Sequence, residues 1–223
     1  MIAAPGVFVT GTGTEVGKTV VAAVIAHTSR SRGKRVAVFK PAITGLDDSG
    51  AVPDHELLRL ASGTEQSDDE IAPYRYRPPA SPHLAAELAG GRIEPEALVE
   101  AARRAADGAD LLVCEGVGGL LVPLTLGYLV RDFARDLGLP LAVASSPGLG
   151  TINHSLLTIE AARAVGLEVA AVVLTPWPAE PTAVERSNLE AIERLGGVSV
   201  TTLRRVDPGE PRSWPALDLP ARK

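Results

Sequence analysis

Val7-Phe8-Val9-Thr10-Gly11-Thr12-Gly13-Thr14-Glu15-Val16-Gly17-Lys18-Thr19 passes from an apolar run through a glycine-rich turn into a lysine and a threonine. The first four residues read as a buried strand. From Gly17 to about Arg32 the residues Val20, Val21, Val24 and Ile25 recur at helical spacing, and Gly33 supplies a stop. Arg35-Val36-Ala37-Val38-Phe39 is a second apolar strand. Strand, turn, helix and strand within roughly 35 residues is the size of a βαβ crossover.

The alternation continues outward. Strands are expected at Leu111–Cys114, Leu141–Ala144, Val169–Leu174 and Val198–Leu203. Helices are expected at Asp54–Ala61, His83–Leu88, Pro95–Ala106, Val130–Leu137, Ile152–Val165 and Ala183–Leu195. Residues 41–53 read as a loop, and four prolines between Pro73 and Pro82 argue against regular structure there. The tail after Arg204 holds Pro208, Pro211, Pro215 and Pro220, so residues 206–223 are expected to be loosely ordered. Strands that are apolar on both faces and alternate with helices predict a single α/β domain over 1–223. Its sheet is doubly wound and mostly parallel, with helices on both faces, of the P-loop NTPase type. Ligands of such sheets bind beyond the carboxyl ends of the strands.

Composition narrows the function. The 223 residues are 45% hydrophobic and 22% charged, as in an ordinary globular chain, and no apolar run reaches the ~20 residues of a membrane span. Met1-Ile2-Ala3-Ala4-Pro5 lacks a basic segment followed by an apolar core, so no signal peptide is read and a cytoplasmic protein is expected. The net charge of −5 argues against nucleic-acid binding on a broad basic face. One cysteine, Cys114, can form neither an internal disulfide nor a zinc site by itself. Of 22 basic residues only Lys18, Lys34, Lys40 and Lys223 are lysines. Because lysine and arginine differ at compact point-charge sites, each lysine calls for a reason; Lys34 and Lys223 read as surface charge.

Lys18 has such a reason. A glycine-rich loop between strand and helix turns backbone N–H groups toward phosphate oxygens, and the helix N-terminus adds partial positive charge. Lys18 would reach the β- and γ-phosphates, and Thr19 would offer its hydroxyl to Mg2+. The usual spacing is Gly-x4-Gly-Lys-Thr; here Gly11 stands one residue further out, and Gly13 does not fit the first position either. Glu115, directly after a buried strand, stands where a Walker-B-type carboxylate is expected. Asp54 opens a short helix and by itself reads more readily as an N-cap than as a ligand. Lys40 follows the second strand on the same sheet edge, where an ammonium can neutralise a transferring phosphoryl group.

Together with Lys40-Pro41-Ala42-Ile43-Thr44-Gly45, Ser81-Pro82-His83, Glu115-Gly116-Val117-Gly118-Gly119 and Leu149-Gly150-Thr151-Ile152-Asn153-His154, the loop resembles that of dethiobiotin synthetases, whose P-loop shares the extended spacing. The resemblance implies a ligase of biotin synthesis. Such an enzyme uses Mg2+ and ATP or another nucleoside triphosphate to carboxylate 7,8-diaminononanoate with CO2, supplied as CO2 or bicarbonate. A carbamate forms, attacks the γ-phosphate to give a carbamic–phosphoric anhydride, and the second amine closes the ring.

It further implies residue roles. Lys18 and Lys40 flank the carbamate and γ-phosphate, with Thr14 and Glu15 beside them as catalytic residues. Gly13, Thr14, Glu15, Val16, Gly17, Lys18, Thr19, Glu115, Gly118, Thr175 and Pro176 hold nucleotide. Lys40, Thr44, Gly118, Gly148, Gly150, Thr151, Ile152 and Asn153 hold substrate. Thr19, Asp54 and Glu115 form the Mg2+ shell. A homodimer is implied, in which the helix starting near Ile152 receives the fatty-acid carboxylate from the neighbouring subunit.

Two departures concern the base. Thr175-Pro176-Trp177-Pro178 replaces the family's Asn-Asp, and threonine cannot make the amide pairing that identifies adenine. The later Gly-x-Leu-Pro signature is replaced by Thr202-Leu203-Arg204-Arg205-Val206. A relaxed nucleotide preference is therefore expected, extending to a base such as cytosine read by backbone groups. The alternatives are a partition-type ATPase switch and an amidating synthase related to those of corrin synthesis. The first would place a second lysine early in the loop, and none precedes Gly17. The second would carry a further domain with a nucleophilic cysteine, whereas Cys114 reads as core.

Overall fold

The computed structural model describes residues 5–46 and 52–219. Met1–Ala4, the 47–51 part of the expected loop, and the end of the tail with Lys223 lie outside the described residues.

The chain forms β1 (Gly6–Gly11), α1 (Lys18–Ser31), β2 (Val36–Phe39), β3 (Ala42–Ile43), α2 (Asp54–Ser62), α3 (Asp68–Ile71), β4 (Tyr74–Arg75), α4 (Pro82–Leu88) and α5 (Pro95–Ala106). There follow β5 (Leu111–Gly119), β6 (Pro123–Thr125), β7 (Tyr128–Leu129), α6 (Val130–Leu137), β8 (Leu141–Ser145), α7 (Thr151–Arg163), β9 (Val169–Trp177), α8 (Ala183–Gly196) and β10 (Ser199–Arg204). Six strands make one parallel sheet in the order β10-β9-β8-β1-β5-β2. Alternate residues of its strands feed two cores. Phe8, Phe39, Leu112 and Cys114 pack with Phe133 and Ile159 on one face. Val7, Val9, Val38 and Val113 pack with Val21, Val24 and Leu58 on the other. Two buried faces explain why these strands are apolar throughout.

The first crossover does not join neighbours. β5 lies between β1 and β2, pairing Val9 with Glu115 on one side and Phe39 with Cys114 on the other. Lys18 and Lys40 therefore stand at the ends of strands separated by a third. β5 also continues to Gly119, so Glu115 lies inside the strand and not after it. Chain is thus led away from β1 to one edge and later returned to the other, which puts the loop after β1 at the reversal of strand order.

Two segments read as irregular are paired. Ala42–Ile43 and Tyr74–Arg75 form a short parallel bridge, so Pro73 ends without excluding a strand beside it. The tail also departs from the loose order expected of it. Its prolines allow only one 3-10 turn (Pro211–Ser213), yet Trp214 and Leu217 are buried against α1. The Leu217 N–H donates to Thr28 Oγ1 at 3.0 Å, and Asp218 pairs with Arg32. Apolar burial holds the segment where backbone regularity cannot.

Candidate active site

Gly17 caps α1 from the left-handed region, φ 88°, and its N–H-bearing turn leads straight into Lys18. A side chain there would be strained, and its Cβ would lie 2.8 Å from Thr175 Cγ2. Gly11 is required for a different reason. A Cβ on it would lie 2.6 Å from Val16 Cγ2 and 2.8 Å from Lys18 Cγ, so the stem of the lysine occupies the space a side chain would fill. Gly13 meets nothing within 4 Å. Glu15 is the one non-glycine at positive φ, 58°, among the described residues. Such strain persists where surrounding structure over-determines it, as at ligand-binding loops.

Four ionisable groups converge beyond β1, β5 and β2. The Lys40 ammonium, 4% exposed, lies 2.5 Å from Glu115 Oε1 and 2.8 Å from Asp54 Oδ2. The Thr19 hydroxyl donates to the same Glu115 Oε1 at 2.8 Å. Lys18 is nearly buried and donates to the Gly13 carbonyl at 2.7 Å. Burial works against the charge on Lys40, but Glu115 and Asp54 outweigh it and hold its pKa above the ordinary value. Burial raises Glu115, with Lys40 pulling the other way. Asp54 would also be raised by burial, but Lys40 overcomes this and lowers it. Lys18 is lowered, chiefly by burial and further by Lys40, against the attraction of Glu115.

These groups line a cavity of about 350 Å³ with Thr14, Glu15, Gly17, Thr44, Val117 and Gly118. Glu115 Oε2 is buried and has no partner there. An orphaned carboxylate oxygen beside the Thr19 hydroxyl and Asp54 is an all-oxygen donor set that fits Mg2+. Thr14, Glu15, Gly17, Lys18 and Thr19 of the loop thus share one cavity with Lys40, Thr44, Asp54, Glu115 and Gly118, while Gly13 and Val16 do not line it.

A family model described as an AAA domain matches residues 5–207. An ATP-dependent dethiobiotin synthetase BioD of Bacillus subtilis (strain 168) is 36% identical over 195 residues, covering 87% of this chain and 84% of that protein. Its counterpart in Bacillus cereus (strain G9842) is 41% identical over 205 residues, with coverage of 92% and 85%. That of Rhodococcus jostii (strain RHA1) is 44% identical over 194 residues, with coverage of 86% and 82%.

The chain belongs to the dethiobiotin synthetase family.

Solved structures extend the likeness at the level of fold alone. A ParA family ATPase from Chlorobium tepidum TLS superposes with a TM-score of 0.57 at 14% identity, covering 92% of this chain and 88% of that one. Chloroplast FtsY from Physcomitrella patens gives 0.51 at 14% identity, covering 93% and 61%. The dethiobiotin synthetase relatives, and not these, carry the family assignment.

Other residues singled out in the sequence lie apart from the cavity. Thr175 is buried under Gly17, and Pro176 is exposed beside it. Gly148, Gly150, Ile152 and Asn153 form the turn and first residues of α7, with Asn153 exposed. Thr151 starts α7, but its side chain is turned inward to Ser145, and its N–H donates to the Gly148 carbonyl at 3.3 Å. The structure adds Thr12, Ser145, Ser155 and Asn188, which hold these segments. A serine ending a strand beside the P-loop strand was the only signal for Ser145. Asn188 gave none, since it is one polar residue on an amphipathic helix.

Proposed function

We propose that this chain closes the ureido ring of dethiobiotin from 7,8-diaminononanoate and CO2, driven by a nucleoside triphosphate, in biotin synthesis. The observation that supports this most is the convergence of two lysines, Lys18 and Lys40, on one cavity with Thr19, Asp54 and Glu115. Phosphoryl transfer to a carbamate brings two anions together, so concentrated positive charge and in-line placement are what catalysis must supply. Lys18 would hold the β- and γ-phosphates and Lys40 the carbamate. A carbamate oxygen then bonds to the γ-phosphorus as the nucleoside diphosphate leaves. The second amine bonds to the carbamoyl carbon, phosphate leaves, and the ring nitrogen loses its proton. Thr14 and Glu15 border the reacting groups, and Thr44 and Gly118 border the carbamate.

Thr19, Asp54 and Glu115 would hold Mg2+, which supplies neutralisation of the triphosphate charge. Lys40 now bridges both carboxylates, so this set has to exchange one cation for another when loaded.

A homodimer is part of the proposal. The start of α7, with the backbone of Gly148, Gly150, Thr151, Ile152 and Asn153, would bind the carboxylate of a substrate seated in the neighbouring subunit. Leu149 in that turn is 91% exposed, which suits a surface covered by a partner. The substrates are small soluble molecules, in keeping with a cytoplasmic enzyme, and no helix among the described residues is long and apolar enough to cross a membrane.

Base preference is proposed to be relaxed. Thr175 has its methyl group against Gly17, and Pro176 has no N–H to offer, so side-chain reading of adenine finds little support. Steady-state rates with ATP, CTP, GTP and UTP test this, and a strong preference for ATP alone overturns it. The activity itself is tested by phosphate release and by mass spectrometry of the product, with and without diamine and bicarbonate. Phosphate release indifferent to the diamine would indicate a nucleotide switch instead.

A further inference from the structure

Ser145, wholly buried at the end of β8, has three hydroxyls around its own. Thr12 Oγ1 lies at 3.2 Å, Thr151 Oγ1 at 2.8 Å, and Ser155 Oγ donates to it at 3.1 Å. Thr12 belongs to the phosphate loop, while Thr151 and Ser155 belong to the first turns of α7. The Thr12 N–H also donates to the Ala144 carbonyl at 3.0 Å, next to Ser145.

A hydroxyl has one proton and two lone pairs, so three partners saturate it. Ser155 takes one of the lone pairs. Ser145 then accepts from one of Thr12 and Thr151 and donates to the other. The two outer hydroxyls are therefore not independent, since a reversal at one requires a reversal at the other. Leaving either buried contact unmade has a real cost. The loop side is also sensitive to ligand. Gly13, adjacent to Thr12, accepts from Lys18, the group that must reorganise on a triphosphate. The α7 side is already restrained from outside, because Asn188 Nδ2 donates to the carbonyls of Pro147 at 2.9 Å and Gly148 at 3.2 Å. Asn188 thus holds the start of the turn, and Ser145 joins the phosphate loop to its far end at Thr151.

We infer that Ser145 is a positioning residue that ties the phosphate loop to the first turn of α7, so that filling the loop orders residues 148–153. The tie joins two segments of one chain; its exchange test rests on the proposed function only in taking the loop as a nucleotide site, and its steady-state test also on α7 holding the substrate carboxylate. If α7 also serves the neighbouring subunit's substrate, the tie runs from one active site to the other.

Hydrogen–deuterium exchange of the full chain, with and without adenylyl imidodiphosphate and Mg2+, tests it. The unaltered protein should show slower exchange at both 11–19 and 148–153. Ser145→Ala should keep the slowing at 11–19 and lose it at 148–153. Thr12→Val, at a half-buried site, should repeat that pattern if Ser145→Ala does not fold, and Thr12→Ser should restore the unaltered behaviour. In steady state, Ser145→Ala should raise KM for the diamine about fivefold with kcat within about twofold, as loss of a uniform binding contribution predicts. Slowing at 11–19 without slowing at 148–153 in the unaltered protein overturns the tie alone, as does retention of both in Ser145→Ala. No slowing at 11–19 overturns the nucleotide reading and the tie with it.

Discussion

The phosphate loop has unlike neighbours on its two sides. Toward β5 and β2 lie two lysines and two carboxylates, with Glu115 wholly enclosed. Toward β8 lie four hydroxyls and no charge. Charge is tolerable in the first place because Lys40 pairs with Glu115 and Asp54 and Lys18 donates to the Gly13 carbonyl, and it is useful there because phosphoryl transfer needs it. The second side has only to hold segments at fixed separation, and neutral hydroxyls do so without a desolvation penalty of that size. One side carries the chemistry, and the other sets where the chemistry's partners sit.

That contrast breaks if the charged side proves dispensable. Lys18→Ala or Lys40→Ala is expected to lower kcat by about 10²–10³-fold or more, the scale of losing one preorganised electrostatic contact. Near-normal turnover in either variant would remove the basis for the site. A sharper test is stability. Glu115→Ala should destabilise the fold by about 3–5 kcal/mol in denaturant titration, because it strands a buried ammonium. Asp54 remains to pair with Lys40, which favours the lower end of that range. Glu115→Ala with Lys40→Met should cost less than Glu115→Ala alone; additive losses would show that the pair is not coupled.

The charged side should also be pH-sensitive. Lys18 must be protonated to hold phosphate, and its pKa lies below the ordinary lysine value, chiefly through burial. Raising pH through that lowered pKa removes the charge, so nucleotide affinity should weaken at an alkaline pH where a solvated lysine would still be charged. Fluorescence titration of nucleotide between about pH 7 and 10 follows this. Affinity constant across that range would count against Lys18 as the phosphate ligand.

Within the loop, Gly11→Ala should cost about 1–3 kcal/mol of stability through overpacking against Val16 and Lys18. Gly13→Ala, facing open space, should leave stability nearly unchanged. The opposite ranking would mean that Gly13 is the structural glycine of the motif. On the neutral side, Asn188→Ala removes hydrogen bonds to the 147–148 carbonyls. Neutral contacts of this kind contribute about 1 kcal/mol. KM for the diamine should therefore rise about fivefold while kcat holds. A kcat collapse as large as that of Lys18→Ala would erase the distinction between the two sides.

Most strands and helices were legible in the sequence because each is specified by its own residues. Short apolar runs marked β1, β2, β8 and the start of β5, and helical periodicity marked α1, α2, α5 and α8. Lys18, Lys40 and Glu115 stood out because each belongs to a short motif that follows an apolar run in the sequence. The β3–β4 bridge was hidden by length, since two residues carry no periodicity and Pro73 adjoins one of them. The docked tail was hidden because prolines advertise irregularity, while Trp214 and Leu217 reveal burial only once α1 is beneath them.

The sequence by itself determined an α/β fold with a P-loop after its first strand, because those are properties of neighbouring residues. It also marked Lys18 and Lys40 against an arginine-rich background. Only the tertiary structure decided that β5 enters between β1 and β2. That order brings Glu115 between the two lysines and makes Asp54 a partner of Lys40. Only the tertiary structure, likewise, set Thr175 under Gly17 and gathered Thr12, Ser145, Thr151 and Ser155. Strand order is settled by the burial of many faces at once, and contacts that depend on it have no counterpart along the chain.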